Sequence, residues 1–152
     1  IQLDGDGQHI AAEIPKLLHA YRQGYDIVIG SRFIDKSGFQ SSAIRRAGIG
    51  YFKYLIKLLT KQLIRDCTSG FRLFNKEAMA LAAEYYPDEY PEPEAIVLFT
   101  HAGLQIGEVP VRMRKRQGGK SSIGFFNSIY YMFKVSLAIV FTYIRTQNLK
   151  KS

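Results

Sequence analysis

The alternation of apolar and polar positions divides the chain into short strands and helices. Residues 1–3 are apolar at both ends and indicate the end of a buried strand, while 26–30 form a β-branched run typical of a second one. Between them, apolar residues recur at helical spacing over 10–22, before a glycine where a C-terminal cap belongs. Strand, helix and strand in this order predict a parallel pair with a right-handed crossover. The fold class is therefore α/β.

The rest of the chain continues with alternating helices and strands. In the long helix we expect an inward face made by Ile49, Phe52, Leu55, Ile56 and Leu59. The predicted elements are a helix at 43–64, a strand at 71–74, a helix at 76–85, an acidic loop at 87–93, a helix from Pro93 to His101, a strand at 106–113 and a basic loop at 114–122.

The segment 125–144 differs in character because it carries one full charge, Lys134. Its length is near the roughly 20 residues that a bilayer span needs, and a central lysine costs only about 2.5 to 3.5 kcal/mol on the insertion scale. Asn127, Lys134 and Arg145 share a narrow stripe, as in a helix that lies at the membrane interface. We therefore expect membrane contact; the alternative is a helix packed on the domain or on a partner chain. The predicted boundaries are a domain at 1–122 and a C-terminal helix with a basic tail at 123–152.

Composition places the chain among folded globular proteins of one domain. It has 152 residues, is 47% hydrophobic and carries a formal charge of +8, so disorder is excluded and an anionic partner is expected. The single Cys67 cannot form an internal disulfide and is expected to be a small buried side chain. The chain begins at Ile1 rather than Met, which suggests a piece of a longer protein.

The sharpest chemical signal is the acidic, glycine-rich run at 4–9. Asp4 and Asp6 are separated by one residue, and the neighbouring glycines make this backbone flexible. Both carboxylates can therefore face a hard divalent cation, with Gln8 as a neutral oxygen ligand. A calcium loop of the EF-hand kind is excluded, because His9 stands at its glycine position and Pro15 at its glutamate position. The alternative is a tight turn that uses Asp and Gly for their backbone tolerance.

Two further clusters are suited to binding an anion. Arginine recognises phosphate through a planar fork, and arginines are spread over 30–46, 72 and 112–116. The polar run 66–72 lies between a helix and a strand, where hydroxyls, a carboxylate and an arginine are typical of a ligand-binding loop. The alternatives are a solvated charged face and ordinary turn chemistry.

Together these motifs resemble glycosyltransferase family 2, and within it the bacterial polyprenyl-phosphate sugar transferases and dolichyl-phosphate mannose synthase. The resemblance covers nearly the whole chain up to Ser122, except that the nucleoside-binding half that precedes the aspartate pair is missing. The motifs occur in the family's order: DGDGQH at 4–9, GSRF at 30–33, DCTSGFR at 66–72, EVPV at 108–111 and RQGGKS at 116–121.

The resemblance implies the C-terminal half of a GT-A (Rossmann-like) domain, and the apolar run that follows predicts the C-terminal helix. It implies Mg²⁺ or Mn²⁺ as cofactor and catalytic roles for Asp6 and Arg116. The implied metal ligands are Asp4, Asp6 and Gln8; the acceptor side is implied to be Arg32, Arg45, Asp66, Thr68, Ser69 and Arg72; and the donor diphosphate is implied to meet Asp4, Arg116 and Ser121.

The implied activity is metal-dependent, inverting sugar transfer from a nucleotide-diphosphate sugar to a polyprenyl phosphate, in cell-envelope glycan synthesis. The expected location is the cytoplasmic face of a bacterial membrane. Nucleic acid is not an expected partner, and both a monomer and a homo-oligomer are allowed. Without a nucleoside-binding half, the chain alone is expected to be inactive. One alternative is transfer to a saccharide hydroxyl, with Glu94 as general base. The other is a non-catalytic basic module that binds anionic lipid or nucleic acid.

Overall fold

In a computed structural model of the protein, the structure describes residues 1–35, 43–87, 90–114 and 125–149, without the side chains of 44, 45 and 125–129. A 3-10 turn, Ala11–Glu13, leads into the first helix. The helices are α1 (Ile14–Arg22), α2 (Ala43–Thr60), α3 (Lys76–Tyr85), α4 (Pro91–His101) and α5 (Phe125–Thr146), and the strands are β1 (Ile27–Ser31), β2 (Arg72–Phe74) and β3 (Ile106–Pro110). The mixed α/β architecture agrees with the predicted fold class.

The sheet has the order β2-β1-β3, with β1 at its centre. β1 pairs antiparallel with β2 and parallel with β3. The predicted direct pairing of the opening segment with β1 is wrong, because Gln2 forms an antiparallel bridge with Arg72 and β2 therefore lies between them. The backbone of Arg72 bonds Gln2 in both directions, at 2.7 and 3.2 Å. The opening segment is also not buried, since Ile1 and Leu3 are 53% and 44% exposed.

Alternate residues of β1 face two different apolar layers, as the pleat of a strand requires. Ile27 and Ile29 pack in a core cluster with residues of α2, α4 and α5. Val28 packs on the opposite face, in a cluster with Leu17 of α1 and with Phe71. The sheet is thus covered on both faces, and the loops at its ends carry the polar side chains of interest.

Several element boundaries differ from the prediction for identifiable reasons. α2 ends at Thr60 rather than 64, because Lys61 adopts a left-handed backbone with φ 62°. α4 begins at Pro91, two residues before Pro93, so the end of the predicted acidic loop is helical; proline suits the first turn, whose N–H groups have no partner within the helix. β3 ends at Pro110, and Met113 instead forms a separate bridge with His9.

α5 has two contrasting faces. Val135 and Ile139 are fully buried in the core beside α2 and α4. The opposite face exposes large apolar side chains, namely Tyr130, Phe133, Leu137, Phe141 and Ile144. Among the helices in the described ranges, none combines the length and the mean hydropathy that a membrane crossing requires. The face with Val135 and Ile139 packs on the domain, as the alternative interpretation of this segment expects. Contact of the exposed face with a membrane stays a prediction.

Candidate active site

Glu108 on β3 fixes the start of the loop 65–71 that leads into β2. Its two carboxylate oxygens accept the backbone N–H groups of Arg65 and Asp66, both at 2.8 Å. Burial raises the pKa of Glu108 above its usual value, while the two backbone donors act in the opposite direction. The sequence pointed to Glu108 only as part of a motif, and the structure shows that its side chain anchors the loop.

A buried ion pair joins the same loop to the end of β1. Arg32 donates from Nε and Nη2 to Asp66 Oδ2 and Oδ1, at 2.7 and 2.6 Å, and its backbone N–H adds a bond of 3.0 Å. Nη2 also donates to Thr68 Oγ1 at 3.0 Å. Two residues expected on the acceptor side, Arg32 and Asp66, thus bind each other. Their first effect is to hold the loop against β1.

Ser69 forms a second hydrogen-bonded connection between the loop and β1. Its hydroxyl donates to the carbonyl oxygen of Gly30 at 2.7 Å and accepts the backbone N–H of Phe71 at 3.2 Å. The crossing at Gly30 is close, because a Cβ there would lie 3.0 Å from the ring of Phe71 and the ring would have to give way slightly. Ser69 was expected on the acceptor side, but its hydroxyl is buried and both of these bonds are to the backbone.

Arg72 is a fully buried cation with an unused donor. Its Nε donates to the carbonyl oxygen of Ser69 at 2.8 Å, and Nη2 donates to those of Cys67 and Glu92 at 3.2 and 2.8 Å. Nη1 has no hydrogen-bond partner in the part of the chain that the structure describes. Burial lowers the pKa of Arg72. A buried guanidinium held only by carbonyl oxygens is costly unless an anion completes its shell.

Asp4 meets this loop directly. Its carboxylate lies against Gly70, where a Cβ would come within 2.6 Å of Oδ2 and 2.7 Å of Cγ. The pKa of Asp4 is held below its usual value, first by a hydrogen bond from His9 and then by the charges of His9, Arg32 and Arg72, against the effect of burial. The structure therefore places the first aspartate of the motif against the loop 65–71, where the charges of two buried arginines act on its pKa.

Asp6 and Gln8 form the turn that follows. Asp6 Oδ1 accepts the backbone N–H of Gln8 at 3.0 Å, and Gly7 has a φ of 74°, which favours glycine. Gln8 in turn donates from Nε2 to the carbonyl oxygen of Arg114 at 3.3 Å. The tight turn offered as an alternative is thus present, and the ligand role of Asp6 stays a prediction.

The metal role expected of Asp4, Asp6 and Gln8 stays a prediction. Within the described ranges, no group of three or more His, Cys, Asp or Glu side chains could hold a metal ion. Mg²⁺ is usually bound by one or two carboxylates together with water and substrate phosphates, and Asp4 and Asp6 supply that number of carboxylates.

The sequence matches the family model for glycosyl transferase family 2 over residues 1–81, more than half of the chain. This chain belongs to glycosyltransferase family 2. It is 31% identical over 116 residues to an uncharacterized protein of Methanocaldococcus jannaschii and 30% identical over 125 residues to glycosyltransferase AglJ of Haloferax volcanii. It is 28% identical over 144 residues to polyprenol monophosphomannose synthase of Mycolicibacterium smegmatis.

These matches cover most of this family 2 chain but only part of each relative. The aligned part is 74%, 80% and 90% of the chain, against 48%, 40% and 53% of the respective relatives. The chain thus spans about half the length of the curated relatives it matches, or less. The names of the relatives agree with the resemblance seen in the motifs.

The remaining predicted site residues of the family 2 chain either lie away from the contacts of the loop 65–71 or fall outside the residues that the structure describes. Arg45 is in the first turn of α2, but its side chain is not described, and Arg116 and Ser121 fall in the undescribed range 115–124. Glu94 is buried in α4, where its Oε2 accepts the hydroxyl of Thr142 on α5 at 2.7 Å. Together with Phe141 and Arg145, Glu94 also lines an open cavity of about 310 Å³.

Cys67 belongs to the loop but is not a nucleophile. Its side chain is fully buried, and burial raises the pKa of the thiol to about 12. A thiol with that pKa stays protonated at neutral pH, and only the thiolate attacks. The expectation of a small buried side chain is confirmed.

Proposed function

We propose that this chain carries the catalytic part of a metal-dependent, inverting glycosyltransferase that moves a sugar from a nucleotide-diphosphate donor to a polyprenyl phosphate. The observation that carries the proposal is the contact of Asp4 with the loop at Gly70, together with the lowering of its pKa, first by His9 and then by the charges of Arg32 and Arg72. Relatives named polyprenol monophosphomannose synthase and dolichyl-phosphate hexose transferase support the choice of acceptor.

Arg72 is the residue best suited to bind the acceptor phosphate. Three backbone carbonyl oxygens hold its guanidinium in place, so little freedom is lost when Nη1 meets an anion. A hydrogen bond between a guanidinium and a phosphate is charge-assisted and about twice as strong as a neutral one. A phosphate acceptor is already an anion at neutral pH, so the reaction needs no general base. This agrees with the position of Glu94, whose carboxylate accepts a hydrogen bond from α5.

Asp4 and Asp6, with Gln8, are the residues that would hold Mg²⁺ or Mn²⁺. When bound, such a cation would offset the negative charge that develops on the departing nucleoside diphosphate. The lowered pKa of Asp4 keeps its carboxylate ionised at neutral pH and available as a ligand. By the family resemblance, Arg116 and Ser121 would contact the same diphosphate. In the inverting reaction the acceptor oxygen attacks the sugar carbon from the face opposite the leaving diphosphate.

The exposed face of α5 would bring this site to the lipid surface where a polyprenyl chain resides. Its apolar stripe, Tyr130 to Ile144, has Lys134 and Arg145 along one edge. Apolar side chains bordered by cations match the pattern of helices that lie in the interface of anionic membranes.

The Phe133→Asp/Leu137→Asp variant is therefore expected to bind vesicles of phosphatidylcholine and phosphatidylglycerol at least about tenfold more weakly, because each buried Phe or Leu side chain is worth about 1.5 to 3 kcal/mol. Flotation measures the bound fraction. Leu18→Asp, a matched substitution at a half-exposed position of α1, should bind as the wild type does. Equal flotation of all three proteins would exclude α5 as the contact.

The proposed activity is tested by transfer of label from a panel of nucleotide sugars, using the full-length gene product. With a polyprenyl phosphate as acceptor, we expect transfer that EDTA abolishes and Mn²⁺ or Mg²⁺ restores, and a product of inverted anomeric configuration. A saccharide acceptor should give none. Transfer to the saccharide that is lost in Glu94→Gln would show that the hydroxyl-acceptor alternative holds instead.

A further inference from the structure

His9 stands beside Asp4 in a position fixed from two sides. Its side chain is only 5% exposed, and Nε2 lies 3.2 Å from Asp4 Oδ2. The imidazole packs on the ring of Phe71, with 5.1 Å between the ring centroids. The backbone of His9 forms a bridge with Met113 just beyond β3. Both the ring and the backbone are therefore held by the fold, independently of the contact with Asp4.

The two ring nitrogens of His9 have different surroundings. Nε2 faces Asp4 Oδ2, and because a carboxylate can only accept, Nε2 is the donor in this contact. Nδ1 is buried and has no hydrogen-bond partner in the ranges that the structure describes. The contact with Asp4 is therefore the hydrogen bond that the side chain of His9 makes among the described residues.

Gly70 contacts the same carboxylate. A Cβ at position 70 would come within 2.7 Å of the Cγ of Asp4, so the glycine allows a close approach of the two groups. The Asp4 side chain is 48% exposed, and the hydrogen bond from His9 to Oδ2 favours one orientation of its carboxylate.

We propose that His9 is a positioning residue that holds Oδ2 of Asp4, so that the carboxylate is pre-oriented to bind a divalent cation. This inference rests on the proposed function, which assigns a cation to Asp4. Carboxylates that bind metals are commonly oriented by such outer hydrogen bonds, and loss of one typically costs about 10- to 100-fold in metal affinity.

The test is the dissociation constant of Mn²⁺, measured by electron paramagnetic resonance on the full-length gene product with a nucleoside diphosphate, UDP or GDP, present. His9→Phe keeps a ring against Phe71 but removes the donor, and it should bind Mn²⁺ about 10- to 100-fold more weakly. His9→Gln, which retains an N–H donor, should recover most of the affinity. His19→Phe is the matched control, since His19 lies on α1 and contacts Gln23. In an Asp4→Ala background, His9→Phe should have no further effect.

The outcomes separate the two claims. A wild-type protein that does not bind Mn²⁺ with either nucleotide contradicts the proposed function and the inference with it. If the wild-type protein binds Mn²⁺ and His9→Phe binds it equally well, the positioning role of His9 is contradicted and the proposed function is not. Equal weakness of His9→Gln and His9→Phe would exclude the hydrogen bond as the cause. Unfolding midpoints are measured first, and His9→Leu replaces His9→Phe if the phenylalanine does not fold.

Discussion

Alanine in place of Asp4 or Asp6 is expected to lower sugar transfer by the full-length gene product by at least about 100-fold, the usual loss when one preorganised electrostatic group is removed from a site. The pKa of Asp4 lies below its usual value, so Asp4 is ionised at neutral pH and its removal takes away a charge that would attract the cation. Initial rates at saturating Mn²⁺ measure the effect. Asp35→Ala, at an exposed position after β1, is the control and should leave the rate unchanged.

Asp6 is tested with one further variant because its side chain has two proposed roles. Its Oδ1 closes the turn by accepting the N–H of Gln8, and its charge would bind the cation. Asp6→Asn keeps an oxygen for the turn but removes the charge. We expect it to lose as much activity as Asp6→Ala. Retention of activity in Asp6→Asn would show that activity depends on the turn and not on the charge of Asp6. Full activity in Asp6→Ala would contradict both roles.

The largest expected effect on stability is that of Asp66→Ala, which should lower the free energy of unfolding by about 3 to 5 kcal/mol. Asp66 is fully buried and accepts three hydrogen bonds from Arg32, so its loss leaves a buried guanidinium without its counter-charge. Urea unfolding followed by circular dichroism measures the change, with Asp35→Ala as the exposed control.

A double substitution separates the ion pair from general damage to the core. Arg32→Met/Asp66→Leu removes both charges, and it should recover a large part of the stability, because apolar pairs of similar volume commonly replace buried ion pairs well. An Asp66→Ala protein within about 1 kcal/mol of the wild type would contradict the account, since exposed ion pairs are worth no more than that.

The helices were the most predictable part of the fold. The spacing of apolar residues in α2 placed Ile49, Phe52 and Ile56 on the buried face, where the structure has them. The strand order was not predictable, because a three-residue strand such as β2 has no periodicity from which its neighbours could be inferred. The start of α4 was missed for another reason: Pro91 and Pro93 are both acceptable in a first turn, and the sequence does not distinguish them.

In the site, the sequence identified the residue types but not how they pair. Arg32 and Asp66 are far apart in the chain, and nothing in their spacing shows that they bind each other rather than a phosphate. Glu108 and His9 were missed as site residues, although each left a signal. Glu108 is a carboxylate within a predicted strand of mostly apolar residues, and His9 closes the motif that begins at Asp4. Charged or imidazole groups at such positions need a partner, and the structure supplies it.

The proposed function depends on a divalent cation held by Asp4 and Asp6. Its presence is tested by anomalous diffraction at the manganese edge, on crystals of the full-length gene product grown with Mn²⁺ and a nucleoside diphosphate. We expect a manganese peak at coordination distance from a carboxylate oxygen of Asp4 or Asp6, with a diphosphate oxygen as another ligand. A diphosphate bound without a peak at these carboxylates, or a peak held by other side chains, would contradict it.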